Sequence, residues 1–259
     1  QPVLDRIVAD LHAQRPDHIA ITGDLVNIGL PEEIEAAAAW LRSVGTPDRV
    51  SVIPGNHDIY SHIGADAGVN RWAGFMTSTS SEFATDGADF PYVRRIGKIA
   101  LIGMNSAVKT RPFMAHGRLG PAQLRRLDAI LRATSKAGLF RLLMIHHPPL
   151  PGQAPASRGL HDAPALADVL SAAGAELVIH GHNHRNMTAA LPHGNRSIPV
   201  IGAPSAALGI AHRHEPLARY NLYRISPSER PARIELIGRG LAIPDGPIIE
   251  LERRMLRVE

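Results

Sequence analysis

Four short stretches carry residue types that metal chemistry uses. They are Thr22-Gly23-Asp24, Pro54-Gly55-Asn56-His57-Asp58, Ile145-His146-His147-Pro148-Pro149 and Ile179-His180-Gly181-His182-Asn183-His184. Each follows an apolar run and ends in residues with lone pairs to donate. A carboxylate, an amide oxygen and imidazoles suit borderline divalent ions such as Zn, Mn, Fe or Co. A carboxylate can bridge two such ions about 3.5–4 Å apart, and two-metal centres serve phosphate-ester hydrolysis. They polarise phosphoryl oxygens and supply a hydroxide at neutral pH. His182 and His184, one residue apart, can reach two neighbouring ions. His57, beside Asn56, is expected to stabilise developing charge or to protonate a leaving oxygen. Asp58 is expected to orient that imidazole.

These residues need strands that end side by side. In open α/β sheets, ligands bind beyond the carboxyl ends of the strands. Strands about 4.8 Å apart would bring Asp24, Asn56, His146 and His182 into one crevice. The periodicity supplies such strands at His18–Thr22, Val50–Ile53, Leu139–Ile145 and Glu176–Ile179. Helices are expected over 2–14, from Pro31 to Val44, around Leu124–Leu131 and around Leu166–Leu170. Tyr92–Val93 and Ile99–Met104 read as a hairpin. Beyond His184, Ile198–Ile201, Tyr220–Ile225 and Arg233–Ile237 read as strands without intervening helices. Residues 59–90 lose periodicity, and there Tyr60, Trp72 and Phe75 are read as loop packing before pocket lining.

Composition frames this as a globular protein. The chain has 259 residues, 44% of them apolar, with no cysteine and a net charge of +4. The absence of cysteine excludes disulfides and thiolate metal sites. No apolar run reaches membrane-spanning length. Basic residues are scattered rather than clustered, so the mild positive charge marks no nucleic-acid groove.

Taken in order, the four motifs resemble those of the calcineurin-like metallophosphoesterase family. The resemblance covers residues 1 to about 205. Gly117-x-Leu119 followed by Gln123-Leu124 also resembles the small bacterial phosphodiesterases of that family, which act on cyclic nucleotides and glycerophosphodiesters. The resemblance implies a single α/β domain over 1–259, with two facing β-sheets flanked by helices. It implies that Asp24 bridges two divalent ions. Asn56, His146 and His182 complete one site, His184 belongs to the other, and His57 is the catalytic histidine.

One departure matters. The family's opening Asp-x-His should end a first strand and supply two ligands to the site shared with His184. Asp10-Leu11-His12 has the letters but lies inside the first helix. A strand ending in Asp-x-His is therefore expected upstream of Gln1, and the site of His184 is expected to be weak in the chain as given. Cytoplasmic localisation is expected, with any signal peptide lying upstream. His147 is read as a structural partner rather than a ligand. His161, His193, His212 and His214 are read as surface or loop residues, and Arg158 as solvated. The expected partner is a small phosphoester, most of all a small phosphodiester, without nucleic acid or membrane; a homo-oligomer is compatible. The alternatives are a phosphomonoesterase, a nuclease, or a metal-binding scaffold without catalysis.

Overall fold

The computed structural model describes residues 2–60, 68–79, 81–83, 89–111, 113–212, 215–229 and 231–256. Val3, Ile7 and Leu11 form the inner stripe of α1 (Pro2–Ala13), where Ile7 is buried against Ala218, Tyr220 and Leu241. Asp10 leaves this helix toward Arg239, which it pairs at 2.7 Å. The chain then enters β1 (Ile19–Ile21). Helix α2 (Pro31–Val44) starts on a proline, and Glu33 accepts the Ile28 and Leu30 amides at 3.1 Å each. A carboxylate in the first turn satisfies donors that the helix leaves unpaired. The buried stripe of α2 ends in Leu41 and Val44 and delivers the chain to β2 (Val50–Val52), which lies parallel to β1.

Strands β3 (Tyr92–Ile96) and β4 (Ile99–Gly103) form the expected antiparallel hairpin. Then follow α3 (Gly120–Lys136), β5 (Phe140–Ile145), α4 (Ala163–Ala173) and β6 (Leu177–His180). The remainder is β-rich: β7 (Met187–His193), β8 (Arg196–Gly202), β9 (Arg219–Ser226), β10 (Arg233–Leu241) and β11 (Ile248–Leu256). Strands β3-β4-β5-β6-β8-β7 form one sheet, in which β4, β5, β6 and β8 run parallel. Strands β11-β10-β9 form an antiparallel sheet, and β1-β2 a two-stranded one.

All of β5 is buried because both of its faces are covered. Phe140, Leu142 and Met144 face a core shared with Leu41, Val52, Leu236 and Leu256. Leu143 and Ile145 face the other way, onto Leu127 and Leu131 of α3 and Leu166 and Leu170 of α4. Arg141 is the polar exception, held by Glu176 at 2.6 and 3.0 Å and by the Ala173 carbonyl at 2.7 Å. Truncating Leu127, which is fully buried, to alanine would cost about 2–5 kcal/mol.

The sandwich architecture is present with one revision. The side opposite the six-stranded sheet is divided between β1-β2 and β9-β10-β11 rather than forming one sheet. Trp72 and Phe75 are core residues, at 2% and 5% exposure. Among the described residues, no helix is long and apolar enough to cross a membrane.

Candidate metal centre

Asp24 follows β1, Asn56 follows β2, His146 follows β5 and the His182 loop follows β6. All four positions lie beyond carboxyl ends. They do not share one sheet, however. The first two come from β1-β2 and the last two from the six-stranded sheet, so the site spans the mouths of two sheets. The His146 Nδ1–H donates to the Thr22 carbonyl at 2.6 Å and ties the two together. Close approach is built into the backbone. A Cβ on Gly55 would lie 2.1 Å from Asp24 Oδ1, and one on Gly23, whose φ is +96°, would lie 2.5 Å from the Gly55 nitrogen. Asp24, His182 and His184 also hold left-handed φ values of 58°, 65° and 51°. That conformation is uncommon for non-glycine residues and is kept only when the surroundings over-determine it.

Four lone-pair atoms converge here. Asn56 Oδ1 lies 3.1 Å from His146 Nε2 and 2.9 Å from His182 Nδ1. His146 Nε2 lies 3.2 Å from both His182 Nδ1 and Asp24 Oδ2. In the neutral ring His146 Nε2 carries no hydrogen, because Nδ1 donates to a carbonyl. The Asn56 amide nitrogen donates to the Tyr60 hydroxyl, which turns Oδ1 inward. Acceptors so close are mutually repulsive unless a cation binds them. Ligands at about 2.0–2.2 Å from one ion are themselves roughly 3–3.5 Å apart, so this donor set fits a divalent cation.

The electrostatics agree. Burial alone would raise the Asp24 carboxyl, but His146 and the His57 amide hold it well below the usual carboxylate range. Burial disfavours charge on His146 too, yet Asp24 raises it, so a proton and a metal ion compete for Nε2. Burial pushes His182 down to about 3, with the His146 charge adding to the effect, so it stays a neutral, ligand-competent imidazole.

His147 joins this cluster, its ligand atoms lying within 4.8 Å of those of His146 and His182. Both of its nitrogens are engaged. Nε2–H donates to the Ala115 carbonyl at 3.1 Å, and Nδ1 accepts from the Ser106 hydroxyl at 2.8 Å. It has no lone pair left for an ion. A Cβ on Gly117 would lie 2.4 Å from the His147 ring, so Gly117 of the Gly-x-Leu turn admits that ring.

His57 and Asp58 part company. The His57 amide donates to Asp24 Oδ1 at 3.0 Å, its ring Nδ1–H donates to the Asn27 carbonyl, and Tyr60 packs against the ring edge at 4.8 Å. Asp58 does not orient this imidazole, contrary to the expectation. Its carboxylate turns away and accepts four amides, those of Asp24, Leu25, Val26 and Gly55, at 2.9, 2.8, 3.2 and 2.7 Å. It is the brace that joins the Gly-Asp loop to the Gly-Asn-His-Asp loop. Burial pushes Asp58 up to about 6, against those donors.

His184 is not drawn into the four-atom cluster; its Nδ1 pairs with Glu215 Oε2 at 3.0 Å. Asp10-Leu11-His12 lies on α1, as expected. His161 stacks on His116 at 3.9 Å, His193 donates to the Ser171 carbonyl at 2.6 Å, and His212 lies in a short bridge with Glu215. His214 lies outside the described residues. Tyr60 and Glu215 are the contributors that no motif in the sequence marks.

A family model described as calcineurin-like phosphoesterase matches residues 2–186. A probable cyclic nucleotide phosphodiesterase of Rhodococcus erythropolis is 30% identical over 209 residues, covering 78% of this chain. The chain spans 61% of that relative's length. The glycerophosphodiester phosphodiesterase GpdQ of Enterobacter lignolyticus is 25% identical over 230 residues, covering 83% of this chain and 70% of that protein. A dimetal phosphatase from Danio rerio shares the fold with a TM-score of 0.65 at 14% identity, over 96% of this chain and 88% of that one. With the family model matching residues 2–186, the chain belongs to the calcineurin-like phosphoesterase family.

Proposed function

We propose that the protein is a metal-dependent phosphoester hydrolase acting on small phosphodiesters of the cyclic-nucleotide or glycerophosphodiester type. The observation that carries this reading is the convergence of Asp24, Asn56, His146 and His182 lone pairs at 2.9–3.2 Å. The names of the Rhodococcus and Enterobacter relatives support the substrate class. In this reading residues 1–259 act as one domain with a two-metal centre, in which Asp24 and His184 would hold the second divalent ion.

Divalent ions bound there supply Lewis acidity toward phosphoryl oxygen and activated water at neutral pH. The chain's own residues do the rest. Asn56 and the two imidazoles orient the ion-binding atoms, and Asp24 supplies the negative charge. The His57 ring, with Nδ1 held by Asn27, offers Nε2 to the substrate. In the imidazolium form, which carries a hydrogen on Nε2 as well as on Nδ1, it stabilises developing charge or protonates the leaving oxygen. Asp58 positions both loops without touching the substrate.

The test is hydrolysis of bis(p-nitrophenyl) phosphate against p-nitrophenyl phosphate, followed by 3′,5′-cyclic AMP and a glycerophosphodiester, with Mn, Zn, Fe or Co. Metal-dependent turnover favouring diesters is expected. Absence of turnover with all four metals overturns the reading, and a preference for the monoester overturns its substrate class.

A further inference from the structure

We propose that Glu215 is the positioning residue of the second metal site, acting by fixing the tautomer and orientation of His184. This rests on the reading above of His184 as a ligand. Glu215 lies outside the residues that match the family model, 2–186. It reaches His184 from 31 residues away in the chain, with Oε2 at 3.0 Å from Nδ1.

A carboxylate only accepts, so the ring donates Nδ1–H and Nε2 is left as the nitrogen with a free lone pair. Ligating histidines usually donate their other N–H to a carboxylate or carbonyl, which sets the ring's orientation and raises its basicity. His146 follows the same rule through the Thr22 carbonyl. Glu215 is itself held in place. The His212 and Glu215 backbones pair at 2.9 and 3.3 Å, and Ala218 and Arg219 anchor the segment to Leu208 and Ser205. Among the described residues Glu215 has no arginine or lysine partner, although the protein carries 28 such residues.

The experiment titrates Co²⁺ into the metal-free protein by calorimetry, with d–d absorption followed in parallel. Wild type is expected to bind a tight ion and a weaker one. H184A should lose the weaker class. E215A should weaken that class about 10–100-fold and leave the tight one unchanged. E215Q, which still accepts from Nδ1–H but lacks the charge, should fall between. H184A/E215A should match H184A. Both side chains are 37% exposed, so these changes leave the core intact. If H184A abolishes the weaker class while E215A binds both ions like wild type, Glu215 has no such role. If wild type shows one class, or H184A keeps two, the reading of His184 fails, and the proposal with it.

Discussion

Asp58→Asn separates a brace from a catalytic partner. The side chain is 3% exposed and its carboxylate accepts four amides. Oδ1 takes Leu25 and Val26, and Oδ2 takes Asp24 and Gly55. Four donors saturate the four lone pairs of an ionised carboxylate. Asparagine replaces one oxygen with an NH₂ group. Whichever way it turns, two amide hydrogens then face a donor. No charge is left behind, but two buried amide donors lose their acceptor, at about 1–3 kcal/mol each. The expected loss is therefore about 2–6 kcal/mol. The assay is urea unfolding of the metal-free protein, read as a lower midpoint at unchanged slope. Metal affinity should fall as well, because Asp24 and Asn56 sit on the two loops that Asp58 joins. Turnover lost at wild-type stability and wild-type metal affinity would refute this reasoning and return Asp58 to a role beside His57.

Other outcomes follow from the same geometry. His57→Ala should keep its metal and lose roughly 10²-fold or more in turnover; metal loss in proportion to activity would make His57 a ligand instead. Mn²⁺ should raise the melting temperature of wild type, by about 2.7 kcal/mol of stabilisation at 100 times its dissociation constant, and His146→Ala should abolish the shift at low Mn²⁺; an undiminished shift would place the ion elsewhere. Arg239 bonds the Asp10 carboxylate at 2.7 and 2.8 Å and holds it below the usual carboxylate range. A folded pKa below the unfolded value stabilises above pH about 4 and loses that contribution as pH falls through the folded pKa. Asp10→Asn should thus destabilise at pH 7, and the difference should shrink as pH falls below about 4. A difference that grows in acid would contradict the pairing.

The chain's local patterns determined a good deal. Residue types at the ends of apolar runs named Asp24, Asn56, His146 and His182, because strand ends and ligand chemistry are both short-range properties. The stripe of α1 exposed Asp10-Leu11-His12 as helical, and the apolar run of β5, broken only by Arg141, marked a strand buried on both faces. Weak patterns escaped. Strand β7 contains Pro192 on a sheet edge, and β11 alternates with arginine and glutamate and buries only Leu256. Edge strands with solvated faces bury too little apolar surface to leave a period. Other features lay beyond any local pattern. The contact of His146 with Thr22 joins residues 124 apart in sequence and brings two separate sheets to one point. Asp58 follows His57 directly, so sequence suggested a partnership. The short 3₁₀ turn at His57–Ile59 instead sends the two side chains to different partners. Glu215 had no signal at all, since a lone carboxylate acquires meaning only from what folding places beside it. Pairing across such distances is decided by how the sheets pack, and packing is a property of the whole chain.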